Sequence, residues 1–129
     1  MTENEIGKAV VDEALKLHRA LGPGSLESVY VAVLAHKLRE NGLRADCEVS
    51  VPIEYEGIRF DEGFRADLVV EGKVILELTS VEKVSSAHKK QVLTYLRLTG
   101  LRLGFLLTFG EAFMRDGITR VVNGLADEP

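Results

Sequence analysis

Phe64-Arg65-Ala66-Asp67-Leu68-Val69-Val70-Glu71-Gly72-Lys73-Val74-Ile75-Leu76-Glu77-Leu78-Thr79 reads as two strands joined by a turn. The even positions Phe64, Ala66, Leu68, Val70, Val74, Leu76 and Leu78 are all apolar, and period-two alternation sets them on one buried face. The odd positions carry Arg65, Asp67, Val69, Lys73, Ile75, Glu77 and Thr79 on the other. With Val70, Glu71 and Gly72 as a three-residue loop, and Gly72 at the position that needs positive φ, Asp67 and Glu77 become diagonal neighbours roughly 7 to 8 Å apart. The same register sets Arg65 opposite Glu77. Two carboxylates so placed suit a single divalent cation; the bland alternative is a solvated pair, or one tied to Arg65.

Working outward, Asn4 to Leu21 repeats Ile6, Val10, Ala14, Leu17 and Leu21 at helical spacing before Gly22-Pro23-Gly24 stops it. Ser25 is the expected N-cap of a second helix through Leu26, Val29, Tyr30, Val33, Leu34 and Leu38, which Gly42 ends. Leu43 to Val51 alternates Ala45, Cys47, Val49 and Val51 inward with Asp46, Glu48 and Ser50 outward, as a half-buried strand does. Pro52 ends or bends it, Glu56-Gly57 turns, and Ile58 to Phe60 leads back into the carboxylate hairpin. A third helix is expected from Ala87 to Leu98, capped by Ser85 or Ser86 and closed by Gly100. Leu103 to Phe109 is apolar nearly throughout, as a strand buried on both faces requires. Between Glu111 and Asn123, Phe113, Ile118 and Val121 are expected to pack, and Ala126 to Pro129 to fray. The expected class is an α/β sandwich with a mixed central sheet flanked by helices.

At 129 residues and 46% hydrophobic, the chain suits one domain spanning 1–129. The lone Cys47 excludes an internal disulfide and a multi-cysteine zinc site, and the N-terminus has no apolar leader, so a reducing cytoplasm is the expected setting. No segment approaches the roughly 20 apolar residues of a membrane span. The net charge of -4 opposes a generic basic coat for nucleic acid. The balance is uneven, with 7 Lys/Arg against 12 Asp/Glu in residues 1–63 and 9 against 8 in residues 64–129. A polyanion would therefore sit on the second half, near Lys83, Lys89, Lys90, Arg97 and Arg102, unless these are ordinary solvated charges.

Gly24-Ser25-Leu26-Glu27-Ser28-Val29-Tyr30 matches a GxxExxY signature, and Phe64 to Leu68, Glu77-Leu78 and Gln91-Val92-Leu93-Thr94-Tyr95 match later motifs of the same family. Over about residues 5 to 123 the chain resembles the bacterial GxxExxY proteins of the PD-(D/E)XK nuclease-like superfamily. The resemblance implies a core order αβββαβ with an extra N-terminal helix. It also implies Mg²⁺, with Mn²⁺ able to substitute, held by Glu27, Asp67 and Glu77. The superfamily's catalytic lysine, two residues past the third acid, is Thr79 here.

Each candidate has a competing structural reading. Glu27 lies three residues after Gly24, the spacing of a capping box, although Gly24 has no side chain to complete one. Tyr30 is expected to pack and to hydrogen-bond Glu27. His88, Gln91 and Tyr95 share one helix face; the resemblance gives Gln91 a phosphate- or water-orienting role with Tyr95 behind it, while a lone His88 is as readily a surface residue. Lys73 lies about 20 Å from Thr79 at the usual strand rise. Arg65, always protonated, can stabilise charge but cannot act as a base.

Three functions remain open. The first is a Mg²⁺-dependent nuclease hydrolysing phosphodiester bonds of DNA or RNA, slowed by Thr79. The second is an inactive pseudo-nuclease that binds nucleic acid or protein. The third is a small-molecule hydrolase on the same carboxylates. A homodimer suits a small domain that must contact two strands.

Overall fold

A computed structural model gives the structure of residues 1–83 and 85–126. The expected fraying of Asp127 to Pro129 lies outside the described residues.

Helix α1 (Glu3–Leu21) begins at a reciprocal cap, in which the Glu5 N–H donates to Thr2 Oγ1 and the Thr2 N–H to Glu5 Oε1. Its stripe of Ile6, Val10, Ala14 and Leu17 is buried as the periodicity requires, while Leu21, at the helix end, is exposed. Helix α2 (Glu27–Glu40) is capped by Leu26, which offers no side-chain acceptor, and Ser25 takes no part as N-cap. Leu26 and Val29 point outward, and Tyr30, Val31, Leu34, Ala35 and Leu38 form the buried side.

Strands β1 (Ala45–Tyr55), β2 (Ile58–Val70), β3 (Val74–Thr79), β4 (Leu103–Thr108) and β5 (Ile118–Val122) form one sheet in sequential order. Among the described residues, only β3 and β4 run parallel. They are joined by helix α3 (Ser86–Thr99), since parallel neighbours need a long crossover. Ser85 caps α3 and Gly100, at φ 74, closes it in the left-handed conformation. A short α4 (Met114–Gly117) leads into β5. The order α2-β1-β2-β3-α3-β4, preceded by α1, is the expected αβββαβ core, extended by β5.

Two apolar layers sandwich the sheet. Leu68, Val70, Val74, Leu76 and Leu78 pack with α1 and α2, while Val69 and Ile75 pack with Leu96 of α3. All of β4 is buried, as its composition requires. Gly104 allows α3 this close, because a Cβ there would lie 2.9 Å from Val92 Cγ1.

The single apolar face expected for Phe64 to Leu78 is divided. Phe64 and Ala66 are buried, but in the α3 layer with Val49, Val51 and Ile53 rather than with Leu68. Glu48, at φ 50, is where β1 changes layer, and the flanking pairs Cys47↔Leu68 and Val49↔Ala66 set it across from Asp67. A left-handed residue interrupts the regular alternation of the ribbon. Beyond it the register shifts between Val51 and Ile53, at Pro52, which cannot donate to the ladder.

Two further residues are more exposed than their expected packing. Cys47 lies on the edge strand and is exposed, under an Arg39 guanidinium that donates to the Ala45 carbonyl at 2.6 and 3.0 Å. Phe113 lies in the connection after β4, 61% exposed, although Ile118 and Val121 do pack.

Candidate functional site

The connection between β2 and β3 sets the geometry of the two acids. Val70 pairs with Val74, Val69 with Ile75 and Leu68 with Leu76, so one step further along the ladder Asp67 stands opposite Glu77. The loop is therefore Glu71-Gly72-Lys73, one residue later than the spacing suggested. The reason is local. Glu71 and Gly72 both adopt positive φ, and Glu71 is pinned to Arg44 by a bond from its N–H to the Arg44 carbonyl and one from the Arg44 N–H to its Oε1. Val70 is thereby free to close the ladder. The shift also removes Arg65 from Glu77; Arg65 faces Ser50 and pairs with Glu62 at 2.8 Å.

Asp67 Oδ2 accepts the Leu78 N–H at 2.8 Å, which anchors the carboxylate at the end of the β2–β3 ladder. Glu77 reaches the same place, and its Oε1 is buried without a hydrogen-bond partner. Burial pushes the Glu77 carboxyl up to about 9, helped by the charge and hydrogen bond of Asp67 and by the charge of Glu48. Without a cation, Glu77 therefore holds a proton at neutral pH. Glu48, assigned by alternation to the solvent side, is an acid that the sequence did not nominate. Its positive φ opposite Asp67 is invisible to pattern reading.

Glu27 stands at the first turn of α2, where its Oε1 accepts from Ser80 N at 3.1 Å and Ser80 Oγ at 3.4 Å. It thus ties the helix start to the residue just past β3. It is exposed, and among the described residues no three His, Cys, Asp or Glu side chains gather closely enough to hold a metal ion. Asp67 and Glu77 are brought together; Glu27 stays one station away. Tyr30 does not bond Glu27. Its ring stacks on Phe109 at 4.3 Å, and its hydroxyl donates to the Gly22 carbonyl at 2.5 Å and accepts from the Ser25 N–H at 3.0 Å. This buried phenol holds the turn that precedes Glu27.

From the opposite layer, α3 brings Tyr95 to the acids. The Tyr95 ring stacks on Phe64 at 3.7 Å. Its hydroxyl is held above its usual range by burial, then by the charges of Glu77 and Asp67, against a hydrogen bond from Gln91. Tyr95 thus lies within reach of the carboxylates' charges, with Gln91 bonded to it. His88 is engaged elsewhere, in a box where its N–H donates to Ser85 Oγ at 3.3 Å and its Nδ1 accepts the Ser85 N–H at 3.4 Å.

Thr79 Oγ1 accepts the Val81 N–H at 3.2 Å. Its partner across the parallel ladder is Thr108, fully buried with an unpartnered hydroxyl. Thr108 is a second residue not nominated, although a lone hydroxyl in the apolar run Leu103 to Phe109 was a visible signal. Neither Lys73 nor Arg65 replaces the absent lysine: Lys73 donates to the Met1 carbonyl at the far end of β3, and Arg65 is held by Glu62.

An orphaned, buried carboxyl oxygen beside a second carboxylate fits a divalent cation, which would satisfy the oxygen and displace the Glu77 proton. The donor set is all oxygen, as hard cations require.

No helix among the described residues is long and apolar enough to cross a membrane. No curated protein and no solved structure matches the chain. A family model described as the PD-(D/E)XK nuclease superfamily matches residues 4–121, from α1 to β5. The mixed five-stranded sheet between α1–α2 and α3 is consistent with that fold. By this match over nearly its whole length, the chain belongs to the PD-(D/E)XK nuclease superfamily.

Proposed function

We propose that the protein is a Mg²⁺-dependent nuclease of the GxxExxY type that hydrolyses phosphodiester bonds of DNA or RNA. The supporting observation is the unpartnered, buried Oε1 of Glu77 beside Asp67. These two side chains would hold the ion, with Glu27 entering through movement of its Ser80 contact or through water. Bound there, a divalent cation would polarise the scissile phosphate and lower the pKa of a coordinated water.

The remaining residues bind and orient. The Gln91 amide and the Tyr95 hydroxyl supply neutral donors for a phosphate oxygen or a water. Keeping Tyr95 protonated is favoured by its place beside Asp67 and Glu77. Thr79 can hold a water through its hydroxyl but carries no positive charge, so the charge stabilisation a lysine supplies there is missing. A positioned group of this kind contributes about 10² to 10⁴ in rate, and wild-type activity should be low by that margin.

A second reading, a pseudo-nuclease that binds without cutting, is favoured by Thr79, whose hydroxyl already accepts from Val81. Cleavage of single-stranded, duplex and branched DNA and RNA in Mg²⁺ or Mn²⁺ separates the two. Wild-type cutting abolished by EDTA and by Asp67→Ala supports the enzyme. Cutting by Thr79→Lys alone supports the binding module.

A further inference from the structure

Nine of the 16 Lys and Arg residues lie in the second half of the chain, and one of them, Arg115, forms a cleft with a cation of α1. This cleft, of about 460 Å³, separates the end of α1 from the connection after β4. Arg19 and Pro23 form one wall and Phe113 and Arg115 the other, with His18 and the buried Met114 beneath. Among the described residues no carboxylate lines it, whereas two other clefts of similar size carry Asp12, or Glu13 and Glu40, in their walls. Among the described residues, neither Arg19 nor Arg115 has an acidic partner within 4.0 Å; those ion pairs fall elsewhere on the surface. The Arg115 guanidinium lies instead 5.3 Å from the centroid of the Phe113 ring.

Rigidity distinguishes this cleft from a chance surface hollow. His18 Nε2 bonds the Glu111 carbonyl at 2.8 Å, joining α1 to the β4 connection, and Tyr30 fixes Gly22 on the opposite wall. Phe113, 61% exposed, is thus a large aromatic ring presented to solvent on a braced frame. The same frame leads to the acids. The Phe109 N–H donates to the Thr79 carbonyl at 2.8 Å, and Gly110 passes so near Ser80 and Val81 that a Cβ there would collide with both carbonyls. On the other wall, the Gly22-Pro23 turn runs directly into Glu27.

Accepting the nuclease reading, we infer that the Arg19–Phe113–Arg115 cleft holds an unpaired nucleotide of the substrate strand. Its base stacks on Phe113, and the flanking phosphates lie against Arg19 and Arg115. Every base has a π face, so the contact reads single-strandedness rather than sequence. A paired base, stacked in its own duplex, cannot offer its face to Phe113. The cleft therefore directs the enzyme to single-stranded or frayed segments.

The test is binding of short fluorescein-labelled single strands and duplexes, followed by anisotropy in Mg²⁺ and again in EDTA. Wild type is compared with Phe113→Ala, Phe113→Tyr, Arg19→Ala and Arg115→Ala. Phe113 is exposed, so its truncation leaves the core intact. Phe113→Ala should weaken single-strand binding about tenfold and duplex binding by less than about twofold, with Phe113→Tyr restoring it. Each arginine variant should lower the salt slope of single-strand binding by about 1. Unchanged affinity, or an equal loss on both substrates, overturns the cleft assignment while wild-type cleavage leaves the nuclease reading standing. If wild type binds no strand in either buffer, both readings fall.

Discussion

Asp67 and Glu77 stand one step beyond the last pair of the β2–β3 ladder, Leu68↔Leu76, and they divide the available donors unequally. Asp67 has the Leu78 amide; Glu77 has a buried oxygen with no partner. The asymmetry anchors Asp67 and leaves the proton on Glu77. A cation entering between them has to displace the proton.

Metal affinity should therefore rise with pH as far as about 9, the value to which Glu77 is pushed. Calorimetric titration of Mn²⁺ at neutral pH, in two buffers of different ionisation enthalpy, should report release of close to one proton per ion. Glu77→Gln should remove both the release and most of the affinity. Proton-independent binding by the wild type would show that Glu77 is not a ligand.

The same raised value has a sign for metal-free stability. The folded state keeps the Glu77 proton up to about 9, whereas the unfolded chain gives it up near the ordinary 4.5. The native state therefore binds more protons between these limits, and this group makes stability fall as pH rises through that window, by at most about 1.4 kcal/mol per pH unit. Below it the group contributes no slope. Urea midpoints at pH 5, 7 and 9 should decline in wild type plus EDTA and decline less in Glu77→Gln. Equal slopes in the two proteins would rule the effect out.

Tyr30 holds two parts of the fold, and its hydroxyl and ring can be tested apart. Tyr30→Phe keeps the stack on Phe109 but leaves the Gly22 carbonyl and Ser25 amide without their partner, for a loss of about 1 to 3 kcal/mol. Tyr30→Ala removes the ring as well and should cost about 3 to 5 kcal/mol. If Tyr30→Phe unfolds at the wild-type denaturant midpoint, the hydroxyl does not brace the turn.

Much of this arrangement was legible before the structure, because it rests on strong local signals. The helices were visible in the spacing of Ile6, Val10 and Ala14 and in the Ser85 and Gly100 caps; β4 was visible in its unbroken apolarity; and the Asp67–Glu77 neighbourhood was visible in the hairpin. The departures come from backbone conformations that residue type does not announce. Glutamate at positive φ is uncommon, yet Glu71 moves the hairpin by one residue and Glu48 divides the apolar face. The first moved Asp67 from the expected diagonal position to the place beside Glu77 that the expected register gave Arg65.

Glu48 supplies a further check on the neighbours of Glu77. Its charge is the smallest of the influences that raise Glu77, after burial and Asp67. Glu48→Gln should therefore move the Glu77 titration downward by less than Asp67→Asn does, and carboxyl carbon NMR of the metal-free protein would read both. A larger shift from Glu48→Gln than from Asp67→Asn would reverse the assignment of neighbours.

The approach of α3 to the sheet can be tested at Gly104. An added methyl would lie 2.9 Å from Val92 Cγ1 and 3.3 Å from the Ile75 carbonyl oxygen. The valine can yield only by pushing α3 outward, and the carbonyl belongs to the β3–β4 ladder. Gly104→Ala should lose about 1 to 3 kcal/mol, the usual cost of overpacking. The loss should be accompanied by a disturbed Phe64–Tyr95 stack, because Tyr95 rides on the same helix. Changed near-ultraviolet tyrosine dichroism together with a lower urea midpoint is the expected result. Gly104→Ala together with Val92→Ala, which vacates the space the methyl needs, should recover the tyrosine signal. If the double variant leaves it disturbed, the position of Tyr95 depends on something other than the depth at which α3 sits.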